Sequence, residues 1–557
     1  MKTMKKSIYL AAALCLGSCS DSYLDEKMYS SYGTEVDDIQ AKIIGLHYTY
    51  ASLWGRSDPQ GFTGIFQDGT DVGAPGDVEG SEVPFYQYGS LNSESRGVQI
   101  LWESLYKIIN NANIIINAPN AKPEEKAEAE FFRAYSYNML VTFWGDVPLI
   151  TESATSPRTD YTRDAVSKID VLIFADLNDA VKNLPDVYQT ATENRINKNC
   201  ARILAGEAFL RMDKNTEAES MVSDIIESGK YALIQERYGN FLADNGDYYS
   251  DMFRWGNQRR SQGNTEGIWI FQMEYNNTVP GGTIDAPQQR RNYVAAFHKI
   301  NGMVNADSLG GRGNGRLRLS NYVKYGIYEE GDVRNSNHNI RRNIYYNKPD
   351  FEDDIWIDDK GFKVEEITAG ATKIHVKTGD LVHISTNDTL AVMYPHTTKW
   401  GGYDVNDDFG WALVKDWPLM RLADAYLLRA EARVKLGNTQ GAADDINVLR
   451  DRAFKTIRAE KGDPTIGKVT AAQMDMDFVL DERIRELVGE ENRRYTLCRT
   501  KKLAERVKMM MTDKWTEAVA EKKITGFDEN VHTLLPIPLS EIQLNKDATL
   551  QQNPGYK

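Results

Sequence analysis

The sequence predicts a mainly α fold: a scaffold of tetratricopeptide-like helical hairpins carrying a large irregular, loop-rich insert that contains short β-strands. Three observations carry this reading. Apolar residues recur at three- and four-residue steps in two separate blocks. A helical pattern that starts at Cys200 returns at Asp424. Between the two copies lies a stretch dense in Gly, Asn, Asp and aromatic residues.

At the N-terminus, Lys2, Lys5 and Lys6 precede the apolar run Ile8 to Gly17, the layout of a secretory signal. Spanning a bilayer takes about twenty apolar residues, and this run is far shorter. Leu16-Gly17-Ser18-Cys19 has the form of a bacterial lipobox: a branched apolar residue, two small residues, then cysteine. Residues 1–18 therefore read as a lipoprotein signal peptide, with Cys19 as the lipidated first residue and Cys15 as filler in the discarded segment. A plain signal peptide with a chance cysteine is the alternative. Cleavage removes three lysines and no acids, taking the formal charge from -14 to -17. That acidic balance argues against a nucleic-acid partner, which requires a basic surface. Residues 19–36 are polar and acidic and read as a tether, so membrane attachment is expected through the lipid alone.

Residues 37–235 form the first helical region. Trp102, Leu105, Tyr106, Ile109, Ala112 and Ile116 mark one apolar stripe. Ala127, Phe131, Tyr135, Met139 and Phe143 mark a second, with Pro123 near its start and Gly145 after its end. Residues 164–183 repeat the pattern before Pro185. CARILAGEAFLRMDKNT (200–216) then matches DAYLLRAEARVKLGNT (424–439). Ala201, Leu204, Glu207, Ala208 and Met212 correspond to Ala425, Leu428, Glu431, Ala432 and Leu436, and Asn-Thr follows each copy as a candidate cap. The window 421–454 has the 34-residue tetratricopeptide period. A generic helical hairpin has the same pattern; two related hairpins favour a degenerate array, an architecture that presents surfaces to partners.

Residues 236–415 read as an irregular, ligand-binding insert with strand-like runs at 267–275 and 373–385, followed by a second helical region at 416–557. Loops on a rigid frame are where binding residues concentrate. DVNDDFG at 404–410 has the alternate oxygen spacing of a calcium loop, but its glycine comes one place late and Lys415 stands where the closing Glu belongs. It reads as a turn. No metal or cofactor is signalled, though a structural calcium elsewhere in the chain stays open. Glu482 and Glu486, i and i+4 between arginines, read as a structural ion network rather than an acid–base pair. No nucleophile elbow, zinc-protease helix, phosphate loop or nucleotide fingerprint stands in a fitting context. The chain has 10 Trp and 29 Tyr, and flat aromatics beside Asp, Asn and Arg suit the apolar faces and hydroxyl rims of sugars. Trp102, Trp144 and Trp269 are assigned to the core.

Taken together, the lipobox, WESLYKIINNANIII (102–116), EFFRAYSYNMLVTFWGDVPLI (130–150), NTEGIWIFQMEY (264–275), GDVR (331–334), RLADAYLLRAEARVKLG (421–437), NVLRDRA (447–453), ERIRELVGEENRRYTLCRT (482–500) and the tail LLPIPLSEIQLNKDATLQQNPGY (534–556) resemble the SusD/RagB family of outer-membrane nutrient-binding lipoproteins. The resemblance implies a nonenzymatic protein on the cell surface. It would capture glycans and deliver them to a SusC-like TonB-dependent transporter; the RagB branch takes peptides instead. In the family, ligand contacts come from loops after the first helices and from the central region, here 55–96 and 240–360. The candidates are Asp71, Phe85, Tyr86 and Tyr88 in the first, and Trp255, Arg312, Asn314 and Trp356 in the second, chosen as exposed aromatics and polar partners. A lipid-anchored hydrolase and a ligand-free assembly scaffold are the rival classes.

Overall fold

The computed structural model describes residues 38–55, 63–76, 80–153, 156–187, 194–273, 287–364, 369–385, 392–403 and 413–557. Cys19 and the 404–410 stretch lie outside the described residues.

Helix α1 (Ile39–Gly55) packs against α2 (Arg96–Ile116) and α3 (Pro123–Trp144). Pro123 opens α3, and Gly145 closes it at φ +73°. Helix α4 (Val166–Asn183) lies on α3 and on α5 (Lys198–Arg211), which pairs with α6 (Asn215–Glu227). The next neighbour of α6 is not the next element in the chain. It is α7 (Leu422–Lys435), which forms a hairpin with α8 (Thr439–Ala453). The two sequence repeats are thus adjacent members of one helical stack, and everything between them is an excursion from it. Arg433 Nε reaches Glu219 at 2.8 Å, and Lys435 Nζ reaches the Leu210 carbonyl at 2.8 Å, across the seam. Helix α9 (Met476–Leu487) packs on α7, and α10 (Arg493–Arg499) on α3.

The expected Asn caps divide. Asn438 caps α8 by accepting the Gly441 N–H at 3.0 Å. In the first copy Asn215 is already inside the helix, and Lys214 occupies the cap position without a side-chain bond. The extra residue before that Asn shifts it one place past the cap.

The core runs along the stack. Trp102, Trp144 and Trp269 are all buried in it, and Trp269 stacks on Tyr50 with ring centroids 5.0 Å apart. The QNPGY tail folds back on α3: Trp144 Nε1 donates to the Pro536 carbonyl at 2.8 Å, and Asn553 Nδ2 to the Trp144 carbonyl at 3.0 Å.

Short antiparallel strand pairs organise the excursion. β1 (Gly73–Pro75) pairs with β3 (Leu317–Leu319). β2 (Gly267–Phe271) pairs with β9 (Trp417–Arg421), which returns the chain to α7. β4 (Ile340–Arg341) pairs with β8 (His396–Thr397). β5 (Glu352–Ile357), β6 (Lys363–Val364) and β7 (Thr372–Lys377) form a three-stranded sheet in the order β6-β5-β7.

The GDVR stretch and α9 lock this excursion to the stack. Arg334 Nη1 donates to Glu482 at 2.8 Å and to Glu486 at 3.0 Å, while Nε and Nη2 hold Asp332. Arg421, Arg450, Arg452 and Arg485 complete the cage around the two glutamates, all within the interior. Desolvation alone would raise the Glu482 carboxyl; Arg334, Arg485 and Arg450 outweigh it and hold it down at about 2. These carboxylates are structural, as their helical spacing suggests.

Candidate functional site

A cleft of about 630 Å³ opens in the excursion, within the range of small-ligand sites. It is built from the 244–255 segment, the 307–310 turn, the loops around β4, and Thr398 to Gly401.

The first wall is fixed by its own capping and by the stack. Asp247 caps the short helix Tyr248–Asp251, accepting from the Ser250 N–H at 2.7 Å. The same carboxylate accepts from Ser336 Oγ at 2.7 Å and from Asn339 Nδ2 at 3.0 Å, clamping the opposite wall. Tyr248 and Tyr249 donate their hydroxyls, at 2.6 Å, to the Arg452 and Glu486 carbonyls of α8 and α9. Rigid support of this kind keeps a loop-built site preorganised. Trp255 follows and stays half-buried at the cleft wall. Arg254 lies over the Phe241 ring at 3.8 Å and pairs with Asp244 at 3.0 Å and Asp307 at 3.2 Å.

Phe253, Leu309 and Ile344 supply buried apolar floor. Tyr345 stands at the rim with 49% of its surface exposed. Asn245, Asn343, His338 and Ser308 add polar groups around the opening. Gly310 sits at φ +83°, and a Cβ there would come within 3.2 Å of the Gly401 Cα, so only glycine lets these two floor turns meet. Flat rings facing an opening edged by amides and hydroxyls can stack on apolar ring faces and bond hydroxyl groups.

Of the eight candidate residues, Trp255 lines this cleft. Asp71, Phe85, Tyr86 and Tyr88 do not, and the expectation that they are exposed is corrected: all four are fully buried. The reason is two consecutive arginines on α10. Arg493 grips Asp71 with Nε at 2.8 Å and Nη2 at 2.7 Å. Arg494 donates to Tyr88 Oη at 2.9 Å and to the Phe85 carbonyl at 2.8 Å, and the Tyr88 hydroxyl donates to the Gly69 carbonyl at 3.0 Å. That loop is an internal strut. Arg312 and Asn314 are half-buried behind the 307–310 turn, where Asn314 N–H bonds the Arg291 carbonyl at 3.0 Å. Trp356 is half-buried on β5, opposite Val364 and Lys373. None of these three lines the cleft.

Tyr345, Arg341, Arg254 and the rim asparagines escaped the sequence reading. The available signal was RRNIYYNK (341–348), two adjacent tyrosines between two asparagines. A second cavity lies in the stack between Tyr50, Trp54, Tyr135, Glu207 and Tyr495. Its volume of about 90 Å³ matches about three waters and is too small for a sugar ring. Among the described residues no cluster of His, Cys, Asp and Glu is placed to hold a metal ion.

A stack of helical hairpins carrying a loop-built cleft defines a helical-repeat binding scaffold. Residues 260–556 match the SusD family, and residues 22–210 match a family described as starch-binding, associating with the outer membrane. The chain belongs to the SusD family. SusD-like protein P25 of Formosa agariphila is 25% identical over 593 residues, covering 100% of both chains. Surface glycan-binding protein A from Bacteroides fluxus superposes with a TM-score of 0.63 at 19% identity, covering 93% of this chain and 99% of its own. A laminarin-binding SusD-like protein superposes equally well, with a TM-score of 0.63 at 20% identity over 93% of this chain and 99% of its own. At these identities the superpositions speak for the fold.

Proposed function

We propose that this protein is a cell-surface, nonenzymatic glycan-binding lipoprotein, anchored through Cys19, that captures oligosaccharides and delivers them to a SusC-like TonB-dependent transporter of the outer membrane. The observation that carries the reading is the cleft in which Trp255 and Tyr345 stand among asparagines on a frame tied to the helical stack. The indole and the phenol stack on sugar rings, and the amides set the register through hydroxyl groups. Family membership supports the assignment, as do a glycan-binding and a laminarin-binding protein among the superposed folds. The lipobox and the outer-membrane description of the N-terminal match support the address.

Isothermal titration of the mature protein against an oligosaccharide panel, with peptides of similar size as controls, tests the reading. Trp255→Ala should weaken glycan binding roughly 10- to 100-fold, through loss of stacked apolar area, with an unchanged melting temperature. Binding to peptides alone overturns the glycan assignment. So does release of reducing ends by the pure protein, which would make it a hydrolase.

A further inference from the structure

The cleft contains a charge that its own walls do not use. Arg341 lies on β4 directly opposite His396 on β8, so the strand pair fixes its direction. Its Nη1 approaches the Gly310 turn, 3.5 Å from where a Cβ on that glycine would stand, which puts the guanidinium at the cleft floor. Among the described residues, no hydrogen bond or ion pair holds that guanidinium. The contrast with Arg254 is instructive, since Arg254 is paired with both acids of the cleft, Asp244 and Asp307. Asp307 also accepts the Tyr403 N–H. It attracts Arg341 only from beyond ion-pair distance. His396 behind it is buried and offers an anion no donor, because its Nδ1–H is given to the Tyr394 carbonyl at 3.0 Å and Nε2 is left as a bare lone pair.

A guanidinium in a secluded site without a counter-ion is costly. It presents planar paired donors that match a carboxylate or a sulfate. We propose that the Arg341 guanidinium makes this cleft a site for acidic glycans, receiving a carboxylate or sulfate substituent at the floor while Trp255 and Tyr345 hold the sugar rings. The inference rests on the glycan-binding reading and adds to it the charge of the substrate. Burial pushes the Arg341 pKa down to about 10, which still leaves the group charged at neutral pH.

The test is titration of the mature protein with three probes of matched length: a neutral β-glucan oligosaccharide, an oligogalacturonide and a sulfated galactan oligosaccharide. An anionic probe should bind more tightly than the neutral one, and its affinity should fall as salt rises. Arg341→Gln should weaken the anionic probe roughly 10- to 100-fold, the loss of a charge-assisted contact, and weaken the neutral probe far less. Arg341→Lys should recover part of the loss, and melting curves of both variants verify folding. The two anionic probes separate a carboxylate from a sulfate ligand. If the neutral probe binds better than either anionic one, or Arg341→Gln changes no affinity, the acidic-glycan inference fails and the glycan reading stands. If none of the three binds, both fail.

Discussion

His396 is a histidine that its surroundings keep neutral. Burial, and then the Arg341 charge, push its pKa down to about 3, against the weaker pull of its bond to the Tyr394 carbonyl. In the unfolded chain the same ring takes a proton near pH 6.5. Between those values the unfolded state binds the extra proton, so stability rises with pH across the window and is lost as pH falls from about 6.5 toward 3. The full effect is on the order of 5 kcal/mol. His396→Asn keeps a donor for the Tyr394 carbonyl but removes the titration. Its stability, followed by chemical denaturation from pH 7 to 4, should fall less steeply than that of the unsubstituted protein; equal slopes would refute the assignment. The same scale explains why only part of the cleft was legible in the sequence. Trp255 and Tyr88 are both aromatic residues among polar neighbours, yet one lines the cleft and the other is fully buried under Arg494. Residue type encodes a capacity to stack. Exposure depends on which distant arginine arrives, and nothing local in the sequence specifies that.

At the scale of elements, α5 and α7 are copies of one helix whose shared alanines and single glycine allow close packing. A Cβ on Gly206 would come within 2.8 Å of Val222 Cγ1 and 3.5 Å of Leu428 Cδ1, so α5 touches both α6 and α7 at that point. Both copies turn into their partner helix through a left-handed residue, Asp213 at φ 58° and Gly437 at φ 78°. This much follows from periodic small residues, and it was readable. The direct stacking of α6 on α7 and the β2–β9 pairing were not, because each joins segments far apart in sequence. The copies also differ in one buried acid. Glu431 is held low by Arg499, which reaches both of its oxygens at 2.6 and 2.8 Å and overcomes the desolvation. Its counterpart Glu207 faces the small internal cavity, and burial, reinforced by Asp424, pushes it up to about 8. A raised carboxyl stabilises the fold fully below its unfolded pKa near 4.5, and that contribution is lost as pH rises toward 8. Glu207→Gln should therefore leave stability nearly unchanged at pH 5 and raise the melting temperature at pH 8 to 9. A drop at both pH values would show that the ionised form is needed.

At the scale of the whole molecule, a buried charge network joins the excursion to the stack, alongside apolar contacts such as Trp269 on Tyr50. Asp332 and Arg334 come from the excursion, Glu266 from the residue before β2, Arg421 from β9, Arg450 and Arg452 from α8, and Glu482, Arg485 and Glu486 from α9. Such networks are poor evidence of net stability, but removing one member leaves its partners buried and unpaired, at a cost of about 3–5 kcal/mol. Arg334 is the member to remove, because among the described residues it alone joins Asp332 to both glutamates. The chain that follows it carries Ser336 and Asn339 to their bonds with Asp247, so the cage also positions the cleft wall. Arg334→Met should lower the stability by that amount and weaken glycan binding measured well below the melting point. Arg334→Lys should rescue little, since one ammonium cannot reproduce a fork that contacts three carboxylates. The acid limb gives an independent readout. Glu482, held at about 2, contributes stability that is present above pH 4.5 and lost as pH falls toward 2. With Arg334 gone, the Glu482 pKa moves back up and less stability remains to be lost, so the stability–pH curve of the variant should be flatter between pH 4.5 and 3. A variant that is less stable, binds glycan normally and keeps the original acid slope would show that the cage holds the excursion without shaping the cleft or setting the Glu482 charge.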